Sequence, residues 1–284
     1  MNMILRENQA IVLAAYGSLH PNALLTYDKI KKFYQRQLPG CEVLLVFTSD
    51  FIRHKLKEQD DDFVHNPLTA LAELQDLGYR DVVVQSLQIV PGEEFHEIMS
   101  LVQGLRCIQG KCSFGNLAVG LPLLAGLSDC RKVSSALKPI FERTTLIEDV
   151  SELPRDPERT AIVLLGHGTN HPGNSLYSML SFVLRDEHEN VFLGTLEGYP
   201  GITQLLPELE RSGTSEIRLM PLLLVAGGHA WEDMAGDNPR SWKKILEMNG
   251  FQSDSYLLGL GESEDILKIF LEHSEKALNR SNGG

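Results

Sequence analysis

The sequence predicts an α/β protein of two similar halves, each a parallel sheet flanked by helices, related by a pseudo-twofold. Three observations carry that prediction. Short apolar runs alternate with amphipathic segments along the whole chain. The alternation halts once, at the polar, acidic, two-proline stretch TLIEDVSELPRDPERT (145–160). Beyond it, phrases of the first half return in altered form. Near-continuous Val/Leu/Ile runs mark strands buried on both faces, as in parallel sheets crossed by helices.

The elements follow in order. AIVLAAYG (10–17) reads as a buried strand ending at Gly17. After His20-Pro21, the residues Ala23, Tyr27, Ile30 and Tyr34 recur at helical spacing with Asp28, Lys31, Lys32 and Arg36 between them. CEVLLVFTS is a second strand. Asn66-Pro67 has the form of an N-cap with proline at the first helical position, and Gly78 that of a helix stop. DVVVQSLQIV is a third strand ending at Pro91-Gly92, and LAVGLPLL (117–124) a fourth. The expected organisation is an N-terminal half over 1–144, a linker over 145–160 and a C-terminal half over 161–284.

The repeat is specific. AIVLAAYGSLHPNA (10–23) lines up with AIVLLGHGTNHPGN (161–174), and LGYRDVVVQSLQIVPGEEFHE (77–97) with SGTSEIRLMPLLLVAGGHAWE (212–232). Tyr16 thus takes the place of His167, and Glu94 that of His229. VLLVFTS against VFLGTLE sets Ser49 opposite Glu197. Ligands of open parallel sheets bind beyond the carboxyl ends of the strands, where all of these residues fall. A cleft between the halves is expected to gather His167, Glu197 and His229 from one side and Glu94 from the other.

Bulk composition narrows the function classes. The 284 residues are 43% hydrophobic and 23% charged, as in ordinary globular proteins. A formal charge of −12 speaks against nucleic acid and against an anionic membrane surface. An anionic substrate would need local basic residues. Cys41, Cys107, Cys112 and Cys130 form no CxxC pair, and no run approaches a membrane span of about 18 apolar residues. Arg6 and Glu7 interrupt the apolar start, so no secretory signal is read and a reducing cytoplasm is expected.

Two histidines at matching strand ends, each beside glycine, point to a shared site. Gly166 and Gly168 flank His167, and Gly227 and Gly228 precede His229, leaving room for a flat ligand to approach the backbone. Two imidazoles and a carboxylate suit cobalt, iron, nickel or zinc without choosing among them. Neither the GxSxG elbow nor HExxH is present. In PGEEFHE (91–97) the acids suit a helix start. Only Glu94 gains from the repeat; His96 is matched by Trp231 and reads as a surface or interface residue. Asp233 and Asp237 are candidates to orient the His229 imidazole, or simply belong to a capped helix start. His20 and His171, each before proline, are read as helix caps, EQDDDF (58–63) as a solvated loop, and His54, His65, His188 and His273 as structural.

These motifs resemble a known family. GHG with His167, LEGYP with Glu197 and MPLLLVAGGHAWEDMAGD with His229 are similar to the anaerobic, single-subunit cobalt chelatases of cobalamin biosynthesis, class II tetrapyrrole chelatases related to the ferrochelatases. FTSDFIRHKL, TALAELQDLGYRDVVVQSLQIVPGEEF and the late GLGE fit the same pattern. The resemblance implies a four-stranded parallel sheet in each half and ATP-independent insertion of Co²⁺ into sirohydrochlorin. It implies His167, Glu197 and His229 as metal residues, with Glu94 as the acid across the cleft. In that reading His167 is the main base, while Tyr16, Ser49, Arg53, Gly92 and Gly228 line the substrate, with Lys55 and Arg240 as further contacts for its carboxylates. Iron or nickel as the metal, haem at His96 (not expected) and a homo-oligomer stay open. So do three rivals: a sirohaem ferrochelatase, a non-catalytic metal or haem carrier, and a binding-protein-like sensor.

Overall fold

The computed structural model describes residues 8–59, 64–146 and 159–280. The chain forms two compact units, Met1–Ala125 with Leu267–Gly284, and Gly126–Ile266.

In the first unit the elements run β1 (Gln9–Ala15), α1 (Pro21–Gln37), β2 (Glu42–Phe47), α2 (Asp50–Gln59), α3 (Pro67–Asp76), β3 (Asp81–Ser86), α4 (Glu93–Arg106) and β4 (Asn116–Gly120). The sheet order is β2-β1-β3-β4, with every pairing parallel. From Ala10 to Ala15 no residue of β1 is more than 1% exposed, which is why this strand reads as an unbroken apolar run. Val12, Val46, Leu71, Leu74, Val84 and Ile98 join one core between the sheet and its helices. The expected caps are present: the Asn66 side chain accepts from the Thr69 amide at 2.8 Å, with Pro67 at the first helical position. The third strand is shorter than its apolar run. β3 stops at Ser86, and Gln88 and Ile89 instead accept from the amides of Leu123 and Leu124 (3.0 and 2.8 Å) in paired loops.

The second unit holds α5 (Leu127–Leu146), β5 (Thr160–Gly168), α6 (Ser175–Glu187), β6 (Val191–Glu197), α7 (Ile202–Ser212), β7 (Glu216–Pro221), a π-helical turn (His229–Met234), α8 (Trp242–Met248) and β8 (Gln252–Ser255). Its order, β6-β5-β7-β8, again wholly parallel, repeats the first sheet position for position. The core of this unit includes Val163, Leu165, Leu205, Leu209, Leu219, Met234 and Trp242.

The compact units divide at Ala125/Gly126, whereas the composition of the sequence points to a boundary within 145–160. Helix α5 packs on α6 and so belongs with the second sheet. The polar stretch itself lies mostly outside the described residues, as do Asp60–Phe63. The last helix, α9 (Glu264–Arg280), passes from the second unit into the first. Buried hydrogen bonds hold it there: the Ser274 hydroxyl donates to Gln85 Oε1 at 2.8 Å, and the Tyr34 hydroxyl lies 3.2 Å from Ser274 Oγ. A buried polar group left without a partner would cost about 1–3 kcal/mol, so this network ties the helix to one register. Among the described residues no helix is long and apolar enough to cross a membrane.

Candidate functional site

His167 is the next-to-last residue of β5, and Gly168 closes the strand in the left-handed region, at φ +79°. In the parallel register Gly168 faces Glu197, the last residue of β6. A Cβ on Gly168 would stand 1.5 Å from the Glu197 carbonyl oxygen. Glycine is therefore required there twice over, by backbone conformation and by close approach. The effect is to bring the backbones of the GHG and LEGYP segments together.

The imidazole of His167 is half-buried, and its Nδ1 lies 3.0 Å from the Gly168 carbonyl oxygen. A carbonyl only accepts, so Nδ1 carries the proton and Nε2 keeps its lone pair. His229 opens the π-helical turn after β7, and its Nδ1 sits 2.7 Å from Asp233 Oδ2 one turn on. The same argument leaves its Nε2 as the ligating or basic nitrogen. Carboxylate-to-imidazole contacts of this kind fix the tautomer of metal-binding histidines and raise their basicity. A π-helical turn inserts an extra residue per turn and is common where side chains must be aimed at a site. The two rings meet edge to face, with centroids 4.7 Å apart and planes at 78°.

Glu197 is exposed, beside this pair through its backbone. Among the described residues no group of three His, Cys, Asp or Glu side chains is arranged to hold a metal ion. The geometry thus supplies two convergent imidazoles with a carboxylate on the adjoining strand end. Of the two acids after His229, Asp233 orients the imidazole, and Asp237 lies 3.5 Å from Lys244 Nζ. Gly228 precedes the π turn, and a Cβ there would meet nothing within 4 Å.

In the first unit Tyr16 follows β1 and is 52% exposed. Ser49 is buried at the start of α2, its Oγ accepting from the Ile52 amide at 3.3 Å. Gly92 is the N-cap of α4, with Glu94 half-buried in the first turn. Arg53 is engaged by Asp50, and Lys55 by Glu58 at 2.8 Å; Arg240 is exposed. His96 is exposed, its Nδ1 donating to the Gly92 carbonyl at 2.8 Å.

The remaining histidines divide. His171 Nδ1 accepts from the Gly173 amide at 3.1 Å, the expected cap. His20 occupies the N-cap position of α1 but makes no side-chain cap bond, which corrects the expectation. His188 and His273 hydrogen-bond to Ser134 Oγ (2.9 Å) and the Leu121 carbonyl (3.1 Å), both structural contacts. The four cysteines are free thiols; burial pushes Cys130 up to about 11 and Cys41 to about 12, so neither is a ready thiolate.

Sequence reasoning passed over Asn174. Its Oδ1 accepts from the Thr169 amide at 3.0 Å and its Nδ2 donates to the Tyr199 carbonyl at 2.7 Å, bridging the segments that follow His167 and Glu197. A signal was available: the repeat has Ala23 at this place.

The pattern of the cobalt chelatase (CbiK) family matches residues 9–279. The sirohydrochlorin cobaltochelatase CbiKC of Nitratidesulfovibrio vulgaris is 36% identical over 275 residues, 95% of this chain and 91% of that protein. The sirohydrochlorin cobaltochelatase of Salmonella typhimurium is 31% identical, over 95% of this chain and 97% of the other. Among solved structures, the sirohydrochlorin chelatase SirB of Bacillus subtilis subspecies spizizenii, in complex with cobalt, superposes with a TM-score of 0.61. It is 14% identical and the match covers 97% of both chains, a likeness of fold. With the family's pattern running through both sheets and through both strand-end histidines, this chain belongs to the cobalt chelatase (CbiK) family.

Proposed function

We propose that this protein inserts Co²⁺ into sirohydrochlorin without ATP, as a cytoplasmic step of anaerobic cobalamin synthesis. The observation that carries the reading is the pair of imidazoles at the end of β5 and at the start of the π-helical turn after β7. Each has its Nδ1 proton committed to an internal acceptor, which leaves Nε2 as the unprotonated nitrogen in two rings whose centroids are 4.7 Å apart. Metal insertion releases two protons, one from each of two pyrrole N–H groups, and strips water from the incoming ion. His167 and His229 hold Co²⁺ through Nε2, with the Glu197 carboxylate as the third donor. A small ligand set keeps the ion exchangeable, as delivery to the macrocycle requires. Once His167 has given up the ion, the same nitrogen is free to accept a pyrrole proton; one lone pair cannot do both at once. A base poised near neutrality typically contributes about 10²- to 10⁴-fold. Glu94, at the start of α4, is assigned the second proton or the orientation of the ring. Tyr16, Ser49, Arg53, Gly92 and Gly228 are assigned to the tetrapyrrole. The reading needs no haem at His96.

The test is anaerobic absorbance of sirohydrochlorin with Co²⁺ or Fe²⁺, comparing wild type with His167→Ala and His229→Ala. Catalysed cobalt insertion that collapses in both variants is the expected result. Faster turnover with Fe²⁺ at equal free metal would favour a sirohaem ferrochelatase. Metal binding without any rate above the protein-free control would make the protein a carrier.

A further inference from the structure

We propose that Asn174 is a positioning residue that sets the Glu197 carboxylate against His167, and thereby tunes affinity for the incoming metal ion. The proposal rests on the assignment of Glu197 as a metal donor. Asn174 is the N-cap residue of α6, outside the strand ends. Its carboxamide spans two loops: Oδ1 takes the Thr169 amide at 3.0 Å, two residues after His167, and Nδ2 gives to the Tyr199 carbonyl at 2.7 Å, two residues after Glu197. An amide does both because it carries an acceptor and a donor on one rigid plane.

The neighbourhood is shaped around this bridge. A Cβ on Gly198 would lie 2.9 Å from Asn174 Oδ1, so the Glu197–Tyr199 backbone passes close over the carboxamide. On the far side of the loop, the Thr195 amide and hydroxyl both donate to the Pro200 carbonyl, at 2.7 and 3.0 Å. Residues 197–199 are thus held at both ends, and the Asn174 carboxamide adds a side-chain tie to the segment carrying His167, beyond the β5–β6 pairing of Gly168 with Glu197. The first half lacks the device: Ala23 stands there, and Ser49 replaces Glu197. The staple and the carboxylate occur together in the half that has them.

Groups that orient metal donors typically alter metal affinity by about 10- to 100-fold when removed. The experiment measures Co²⁺ binding to the full chain by calorimetry without tetrapyrrole, and anaerobic insertion rates with Co²⁺ varied. The variants are Asn174→Ala, Asn174→Asp, Glu197→Gln and the Asn174→Ala/Glu197→Gln pair. Asn174→Asp keeps the acceptor for Thr169 but sets an oxygen against the Tyr199 carbonyl, and it carries the test if Asn174→Ala does not fold.

The expected result is a Kd and KM for Co²⁺ raised about 10-fold in either single Asn174 variant, with kcat changed less than about 3-fold, the lower end of the range for orienting groups. The double variant should bind no more weakly than Glu197→Gln, since a residue acting through another adds nothing once that other is gone. Wild-type Co²⁺ affinity in a folded Asn174 variant, or full additivity in the double variant, overturns the proposal while leaving Glu197 as a donor. Wild-type affinity in Glu197→Gln instead removes the donor assignment, and the Asn174 role with it.

Discussion

The two units share a strand order and differ at the strand ends. Both sheets run in the same order with parallel registers, and in both a buried tyrosine packs under the first loop: the Gly17 amide bonds the Tyr27 hydroxyl, and the Gly168 amide that of Tyr177. Yet the first unit presents Tyr16, Ser49 and Glu94 where the second presents His167, Glu197 and His229. Ser49 is spent on capping α2, while the second unit's two imidazoles meet at 4.7 Å. The backbone devices are common to both copies, and the proposed metal residues sit in one.

The largest effect should come from making the second half resemble the first. His167→Tyr puts the residue of the β1 end onto β5 and removes the proposed base. Cobalt insertion, followed by anaerobic absorbance, is expected to fall by about 10²- to 10⁴-fold. A loss below about tenfold would show that another group takes the protons.

The glycines of the two loops should respond unequally. A Cβ on Gly168 collides with backbone, the Glu197 carbonyl at 1.5 Å, whereas one on Gly17 meets the Phe47 ring at 2.8 Å. Both have positive φ, so alanine is strained at either place. A side chain can shift where backbone in a sheet cannot. Gly168→Ala is therefore expected to cost roughly 3 kcal/mol or more, and Gly17→Ala roughly 1–3 kcal/mol, in urea unfolding. Equal costs would mean that the close approach of β5 and β6 is not held rigidly.

A third difference lies one turn beyond His229. Counting on from the Glu94–His229 match, Asp233 stands where the first half has Ile98, a core residue only 2% exposed. A carboxylate in place of a core isoleucine is unexplained by packing and explained by its 2.7 Å contact with the imidazole. Asp233→Ala should weaken Co²⁺ binding by about 10- to 100-fold while leaving the fold intact, since the side chain is half exposed. Calorimetric titration with Co²⁺ checks it, and unchanged affinity would leave His229 orienting itself.

How much of this was legible in the sequence follows from what period and repetition encode. The strands β1–β7 and their parallel character were readable because apolar runs such as Ala10–Ala15 are buried on both faces, whereas the polar β8, QSDS, was implied only by the family resemblance. The strand-end histidines were readable because the repeat gave each position a counterpart to differ from. Tertiary pairing was not. That α9 would join the first unit depends on Ser274 meeting Gln85, 189 residues away, and no local pattern records such a contact. The π turn at His229 and the Asn174 bridge escaped for a related reason, since each is set by where two loops meet in space. His20 misled because its His-Pro motif matches that of His171, while the cap bond it was expected to make is absent.

The smallest effect tests what the halves have in common. Burial holds Tyr27, Tyr34 and Tyr177 protonated well above the ordinary phenol range, partly offset by the hydrogen bonds from Gly17, Ser274 and Gly168. The folded pKa of each is raised, so the unfolded chain loses these protons first. Their contribution is complete below about pH 10 and declines as pH rises beyond it, at about 1.4 kcal/mol per pH unit for each tyrosine. Tyr177→Phe deletes the bond to Gly168 and should cost about 1 kcal/mol at pH 8. At pH 11 wild type has lost about that much through Tyr177, and the variant has not, so the two should unfold at nearly the same urea concentration. A gap that stays constant from pH 8 to pH 11 would mean that Tyr177 ionises in the folded protein as it does in water. The loop beneath His167 would then be open to solvent, in contrast to its counterpart at Tyr27.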